Sequence, residues 1–363
     1  MESSREAPPR TEVVGGCPAC GMPGGRPFFH SEDRLLGTPG TFHYRRCTSC
    51  ATVYQDPRVV RDDLPRLYTG DYYTRASIEA GPTPADTPDT RPWGGGFRGA
   101  VRDAIRDAVA PEPLRPGPAG WGRLLALSRW LRVRAFGDHV VDELLPWRRP
   151  AGRALDVGCG SGKLMLQLAR VGWAVEGAEW DAASVGRAHA HTGFPVHQGD
   201  AETLPQGLGP FDLIVLSHVL EHLPRPVEAL AALRRLLAPR GRLVVIVPNP
   251  ESLTARWFGR YWYHWDAPRH MVLVPPGMMA HVGRRAGFGL LRSRTMGRWA
   301  AAAWGTSRAR RDGDPIPEVP GAPDRLWAGL EALLLALGAP VGEEIVAVFA
   351  PRVGTRTRRE GTR

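Results

Sequence analysis

Apolar and polar positions follow two different rhythms along this chain. Between residues 153 and 247, short apolar runs alternate with stretches in which apolar residues recur every three to four positions. The runs at 153–157, 173–178, 194–197, 211–217 and 243–247 predict β-strands. The stretches at 164–171, 182–191 and 227–238 predict helices. Repeated strand–helix units of this length imply a parallel sheet covered by helices on both faces. After Pro248 the pattern breaks into an aromatic-rich insertion over 251–275. A helix over 277–286, a strand over 289–295, a helix over 326–337 and a strand over 344–350 are expected beyond it.

Upstream of residue 153 the signals are local. Residues 41–45 and 52–54 read as strands, whereas 81–120 are dense in Pro, Gly, Thr and Asp and read as linker. Leu124, Leu125, Leu127, Trp130 and Leu131 recur at helical spacing, which predicts one or two helices over 121–145. Cys17-Pro-Ala-Cys20 and Cys47-Thr-Ser-Cys50 form two Cys-x-x-Cys pairs beside the short strands. Such pairs on hairpin turns supply four thiolates for tetrahedral zinc. In a reducing compartment structural zinc outweighs two disulfides, with redox cysteines as the alternative. The expected organisation is a zinc-ribbon module over 1–75 and a Pro/Gly-rich linker over 76–120. A main domain over 121–350 and a basic disordered tail over 351–363 complete it. The module is expected to unfold on its own.

Composition narrows the class. The 363 residues are 43% hydrophobic and 23% charged, which suits a globular core. No apolar run is long enough to span a bilayer, and the first residues form no secretory signal, so a cytoplasmic protein is expected. The net charge of +10 is unevenly placed: residues 248–363 carry 17 basic and 10 acidic groups, against 10 and 9 in residues 1–75. Arg308, Arg310, Arg311 and the tail hold much of the excess. They read as a solvated end or, in the alternative, as a polyanion footprint.

The glycine-rich turn Asp156-Val-Gly158-Cys-Gly160-Ser-Gly162 joins the first predicted strand to the first helix. In a doubly wound sheet, ligands sit beyond the carboxyl ends of strands. Lys163 stands where the third glycine of a dinucleotide motif would be. Glu179 follows the second strand, where a carboxylate can accept two ribose hydroxyls. Asp200 follows the third, where it can accept an adenine amino proton. Together these resemble the class I S-adenosylmethionine-dependent methyltransferases over roughly residues 121–350. The resemblance implies an α/β fold: a doubly wound seven-stranded sheet (the Rossmann-like methyltransferase fold), its last strand antiparallel, preceded by a small zinc ribbon. It also implies that Asp156, Gly158, Gly160, Gly162, Glu179, Asp200, Ala201 and Ser217 bind S-adenosylmethionine.

Candidate chemistry lies in Ser217-His-Val-Leu-Glu-His222 and Asp266-Ala-Pro-Arg-His270, giving His218, Glu221, His222 and His270 as catalytic candidates. Glu221, His222 and His270 resemble the carboxylate–histidine sites of metal-dependent O-methyltransferases, although a Glu stands there in place of His218. A second divalent metal, a metal-free acid–base role and a structural role all remain open. The aromatic insertion reads equally as a pocket wall and as a packing lid. The resemblance implies methyl transfer to a small molecule or a glycan intermediate, at oxygen. The alternative is an RNA- or protein-directed methyltransferase that docks through the ribbon and the basic C-terminus.

Overall fold

The computed structural model describes residues 7–68, 152–170, 172–205 and 207–352. The predicted linker, the helices over 121–145, the boundary at 75 and the tail from 353 lie outside them. The predicted strands of the main domain are β6 (Arg153–Val157), β7 (Ala174–Glu179), β8 (Val196–Gln198), β9 (Phe211–Ser217), β10 (Leu237–Pro248), β12 (Phe288–Met296) and β13 (Glu344–Pro351). They form one seven-stranded sheet in the order β12-β13-β10-β9-β6-β7-β8. β13 runs antiparallel to both of its neighbours, and the other six are mutually parallel.

The strands read as nearly continuous apolar runs because both faces of the sheet are buried. Leu155, Ile214, Leu216, Leu243, Val245 and Ile345 point into one apolar cluster. Their neighbours Ala154, Leu213, Val215, Val244 and Val346 point into another. Met165 and Leu168 of the helix Lys163–Arg170 cover the second face. Val227, Leu230 and Leu233 of Pro226–Arg234 and Val282 of Met279–Arg285 cover the first.

Two elements depart from the expected pattern. The helix expected to reach residue 238 stops at Arg234, because Leu237 pairs in register with Phe211 and opens β10 early. A helix over Ala300–Asp312 was not expected, since alanines make up much of its apolar face. This helix carries the three arginines of the basic cluster, and each has an intramolecular partner. Arg308 pairs with Asp324, Arg310 donates to the Tyr263 carbonyl at 2.7 Å, and Arg311 pairs with Asp312. Among the described residues no helix is long and apolar enough to cross a membrane.

The cysteine-bearing segment is built on short strands: β1 (Thr11–Glu12), β2 (Gly25–Ser31), β3 (Phe42–Cys47), β4 (Val53–Gln55) and β5 (Arg58–Val59). β2, β3 and β4 form a meander whose fourth strand, β11 (Val272–Leu273), comes from the insertion. Cys17, Ala19, Cys47 and Tyr54 belong to the same apolar cluster as Leu155 and Ile345. Tyr44 donates to the His270 carbonyl at 3.1 Å, and Arg285 to the Ala19 carbonyl at 2.9 Å. The segment therefore shares a core with the sheet, contrary to the expectation of independent unfolding. The insertion's aromatics largely pack: Trp262 and Trp265 are buried with Tyr44 and Val53, which favours the packing reading.

Candidate functional site

Strand order reverses between β6 and β9, and a cavity of 480 Å³ opens beyond the carboxyl ends of the sheet. The turn after β6 forms its floor. Gly158 (φ +70°) donates to the Ala178 carbonyl at 2.8 Å, which ties the turn to β7. A Cβ on Gly158 would meet Val219 at 2.5 Å, and one on Gly162 (φ +78°) would meet Thr192 at 2.3 Å. Positive φ and close approach together require glycine at both places.

Glu179 and Asp200 face this one cavity. The Glu179 carboxylate accepts from Gly160 N at 2.8 Å and Trp180 N at 3.2 Å. Burial pushes its pKa up, and those two N–H groups oppose the shift. Asp156 lies beneath, 2% exposed, and is raised to about 8 by burial and by the Glu179 charge. Asp200 caps its own turn through Oδ1, which accepts from the Glu202 and Thr203 amides, each at 2.9 Å. Gly158, Gly160 and Ala201 also line the cavity. Gly162 turns toward Thr192, while Ser217 ends β9 opposite Ile246.

The catalytic candidates converge but do not stand equally close to the cavity. His218 and His222 line it, while Glu221 (1% exposed) and His270 (5% exposed) stand behind. His218 adopts φ +56°, a strained conformation for a non-glycine residue. Its Nε2 lies 2.8 Å from Glu344 and its Nδ1 3.3 Å from Glu221. Burial disfavours its charge, but the two carboxylates outweigh burial and lift the pKa to about 10. The two neighbouring carboxylates thus favour its protonated form, which counts against a role as proton acceptor. His222 is pushed down to about 4 by burial and by His270, and its Nδ1 lies 2.9 Å from the Tyr68 hydroxyl. His270 Nδ1 lies 2.6 Å from the His264 carbonyl, which places a proton on Nδ1 and turns Nε2 toward Glu221, 4.0 Å away.

Residues outside the predicted set complete the walls. Arg61 and Tyr68 come from a 3-10 segment, Arg61–Tyr68, that crosses the cavity. Trp180 joins them, its ring centre 6.0 Å from that of Tyr68. Glu344 was hidden because it is 126 residues from His218 in sequence.

The four cysteine sulfurs close into a compact group. Cys17 and Cys50 are 3.6 Å apart and Cys20 and Cys47 3.7 Å apart, and all four lie within 4.8 Å of one another. Tetrahedral zinc with bonds of about 2.3 Å requires sulfur separations of roughly 3.8 Å, so the group fits that ion.

Comparison with known proteins agrees with this geometry. A family model described as a methyltransferase domain matches residues 129–293. A ubiquinone biosynthesis O-methyltransferase of Caulobacter sp. (strain K31) is 30% identical over 169 residues, covering 42% of this chain and 67% of that protein. The protein of the same name from Aromatoleum aromaticum is 34% identical over 167 residues, covering 41% and 71%. That of Cereibacter sphaeroides (strain ATCC 17025 / ATH 2.4.3) is 34% identical over 140 residues, with 36% of this chain and only 55% of its own length spanned. With the glycine turn, the two acids and the antiparallel seventh strand in place, the chain belongs to the class I S-adenosylmethionine-dependent methyltransferases.

Proposed function

We propose that the protein transfers the methyl group of S-adenosylmethionine to an oxygen of a small molecule or glycan intermediate. The observation that carries this reading is the one cavity that the glycine turn, Glu179 and Asp200 line together. Bound there, the cofactor supplies a methyl group already activated on a sulfonium. Glu179 would hold the ribose hydroxyls and Asp200 the adenine amino group. What remains for the chain is to align an acceptor, which contributes roughly 7–11 kcal/mol when geometry is well held. Tyr68, His218 and His222 border the space where an acceptor would sit. The relatives named for ubiquinone biosynthesis support oxygen as the methylated atom. The internal pairing of Arg308, Arg310 and Arg311 weakens the macromolecule-docking alternative.

Calorimetry with S-adenosylhomocysteine tests the cofactor placement. Glu179→Ala is expected to weaken binding about tenfold or more, since it leaves ribose hydroxyls unpaired. An unchanged affinity would move the ribose elsewhere. Methyl transfer from labelled cofactor to a fractionated cell extract then identifies the acceptor.

Glu221, His222 and His270 also meet the requirements of a divalent cation. Their ligand atoms lie within 4.8 Å of one another, and among the described residues neither Glu221 oxygen has a hydrogen bond of good geometry, although His218 Nδ1 stands 3.3 Å from one of them. The bond from His270 Nδ1 to a carbonyl is the outer support that metal-bound histidines use. These three residues would hold an ion able to acidify a hydroxyl acceptor. His218 Nδ1, 3.3 Å from Glu221, would compete with such an ion for this carboxylate. Dialysis against a chelator is expected to lower turnover at least tenfold while the cysteine-bound metal stays in place. Full turnover after chelation would leave the trio a metal-free role in orienting the acceptor.

A further inference from the structure

We propose that Arg61, supplied by the cysteine-bearing segment, belongs to the cofactor site, where it positions Asp200 for the adenine edge. The inference rests on the reading of the cavity as the S-adenosylmethionine site, and it adds a residue that no motif of the sheet contains. Asp200 Oδ1 is occupied by donors of its own turn, namely the Glu202 and Thr203 amides and the Thr203 hydroxyl. The only other oxygen, Oδ2, receives the Arg61 guanidinium. A carboxylate oxygen has two lone pairs, so Oδ2 can accept one N–H from Arg61 and one from an exocyclic amine. Arg61 thereby fixes the rotamer in which Asp200 presents that second lone pair to the cavity.

Arg61 is delivered to this place. Two residues further along the chain, Asp63 is gripped by Arg10, with N–O distances of 2.8 and 3.2 Å. Arg58 donates to the Pro224 carbonyl at 2.8 Å, and Tyr68 meets His222 at 2.9 Å. The segment is thus tied on both sides of Arg61 to loops that border the cavity. In the free protein the Arg61–Asp200 pair is partly exposed, with side-chain exposures of 46% and 28%, and an exposed pair of this kind contributes little. An adenosyl group laid against the pair would exclude water and strengthen it. Arg61 therefore acts through Asp200 as a positioning residue, and its effect on affinity has to vanish when Asp200 is replaced.

The test uses the full chain and S-adenosylhomocysteine as the titrant. Arg61→Ala is expected to weaken binding about tenfold. Asp200→Asn also weakens it, and the double variant is expected to bind no more weakly than Asp200→Asn alone. Equal thermal transitions and equal zinc content in Arg61→Ala and wild type show that the segment is intact. Arg61→Gln replaces it if they differ. Wild-type affinity in the Arg61 variant, tighter binding, or additive losses in the double variant would each overturn the proposal. Failure of the wild-type protein to bind S-adenosylhomocysteine would instead overturn the reading of the cavity itself.

Discussion

Replacing Arg269 by Ala is expected to remove about 3–5 kcal/mol of stability, much of what a domain of this size possesses. Arg269 is fully buried, and it holds two carboxylates from distant parts of the chain. Its two terminal nitrogens each meet an Asp33 oxygen at 2.8 Å. The same guanidinium donates to Asp266, at 2.7 Å from Nη2 and 3.1 Å from Nε. Burial works against the charge of Asp33, yet the guanidinium holds its carboxyl well below the usual range. Truncation would remove the shared cation from Asp33, whose side chain is fully buried, and from Asp266, whose side chain is 11% exposed. Lysine could not restore the arrangement, because a single ammonium cannot serve Asp33 with two parallel bonds. Asp33 lies in the cysteine-bearing segment and Asp266 in the insertion, so the loss should appear in one shared transition. Urea unfolding measures it, and a loss below about 1 kcal/mol would contradict this account.

That clamp could not have been read from the sequence, whereas much of the sheet could. The strands at 153–157 and 211–217 are visible because burial on both faces forces unbroken apolar runs. The cysteines are visible because two Cys-x-x-Cys pairs have the spacing that tetrahedral ligation requires. The glycine turn is visible because its backbone forbids side chains at Gly158 and Gly162. Where a signal depends on a distant partner, local periodicity misleads. Leu236 and Leu237 extend a helical pattern, but Leu237 is claimed by Phe211. The helix Ala300–Asp312 hides because its buried face is mostly alanine, glycine and serine around one Trp304.

The candidate site divides in the same way. Glu179 and Asp200 can be found because each follows its own strand. Arg61 reaches Asp200 across 139 residues, and Tyr68 reaches His222 across 154. No pattern in the 3-10 segment announces either contact. His218 shows the cost of reading a motif without its surroundings. A histidine after the fourth strand reads as a base, but Glu344 on the antiparallel seventh strand, 2.8 Å from its Nε2, favours the protonated ring.

Glu331 carries the second large expectation, a stability that falls as pH rises. It lies on the helix Ala322–Ala336 at 0% exposure, beside the equally buried Glu343. Burial, and then the neighbouring Glu343 charge, raise its pKa to about 8. Burial raises Glu343 to about 7, opposed by hydrogen bonds from Thr254 and from Trp262 Nε1, the latter at 3.0 Å. Glu343 thus has donors that suit a charge, and Glu331 is the member that keeps its proton. A folded pKa above the unfolded value means that stability is fully present below about pH 4.5 and declines as pH rises toward 8. Glu331→Gln preserves shape and removes the proton from this balance. The variant should match wild type near pH 4.5 and exceed it by about 2–4 kcal/mol at pH 8. Asp156 also titrates near pH 8, but it contributes equally to both proteins and drops out of the difference. Urea unfolding at the two pH values decides the matter: a difference that stays constant would mean that Glu331 is ionised in the folded protein, with a cation or water beside it.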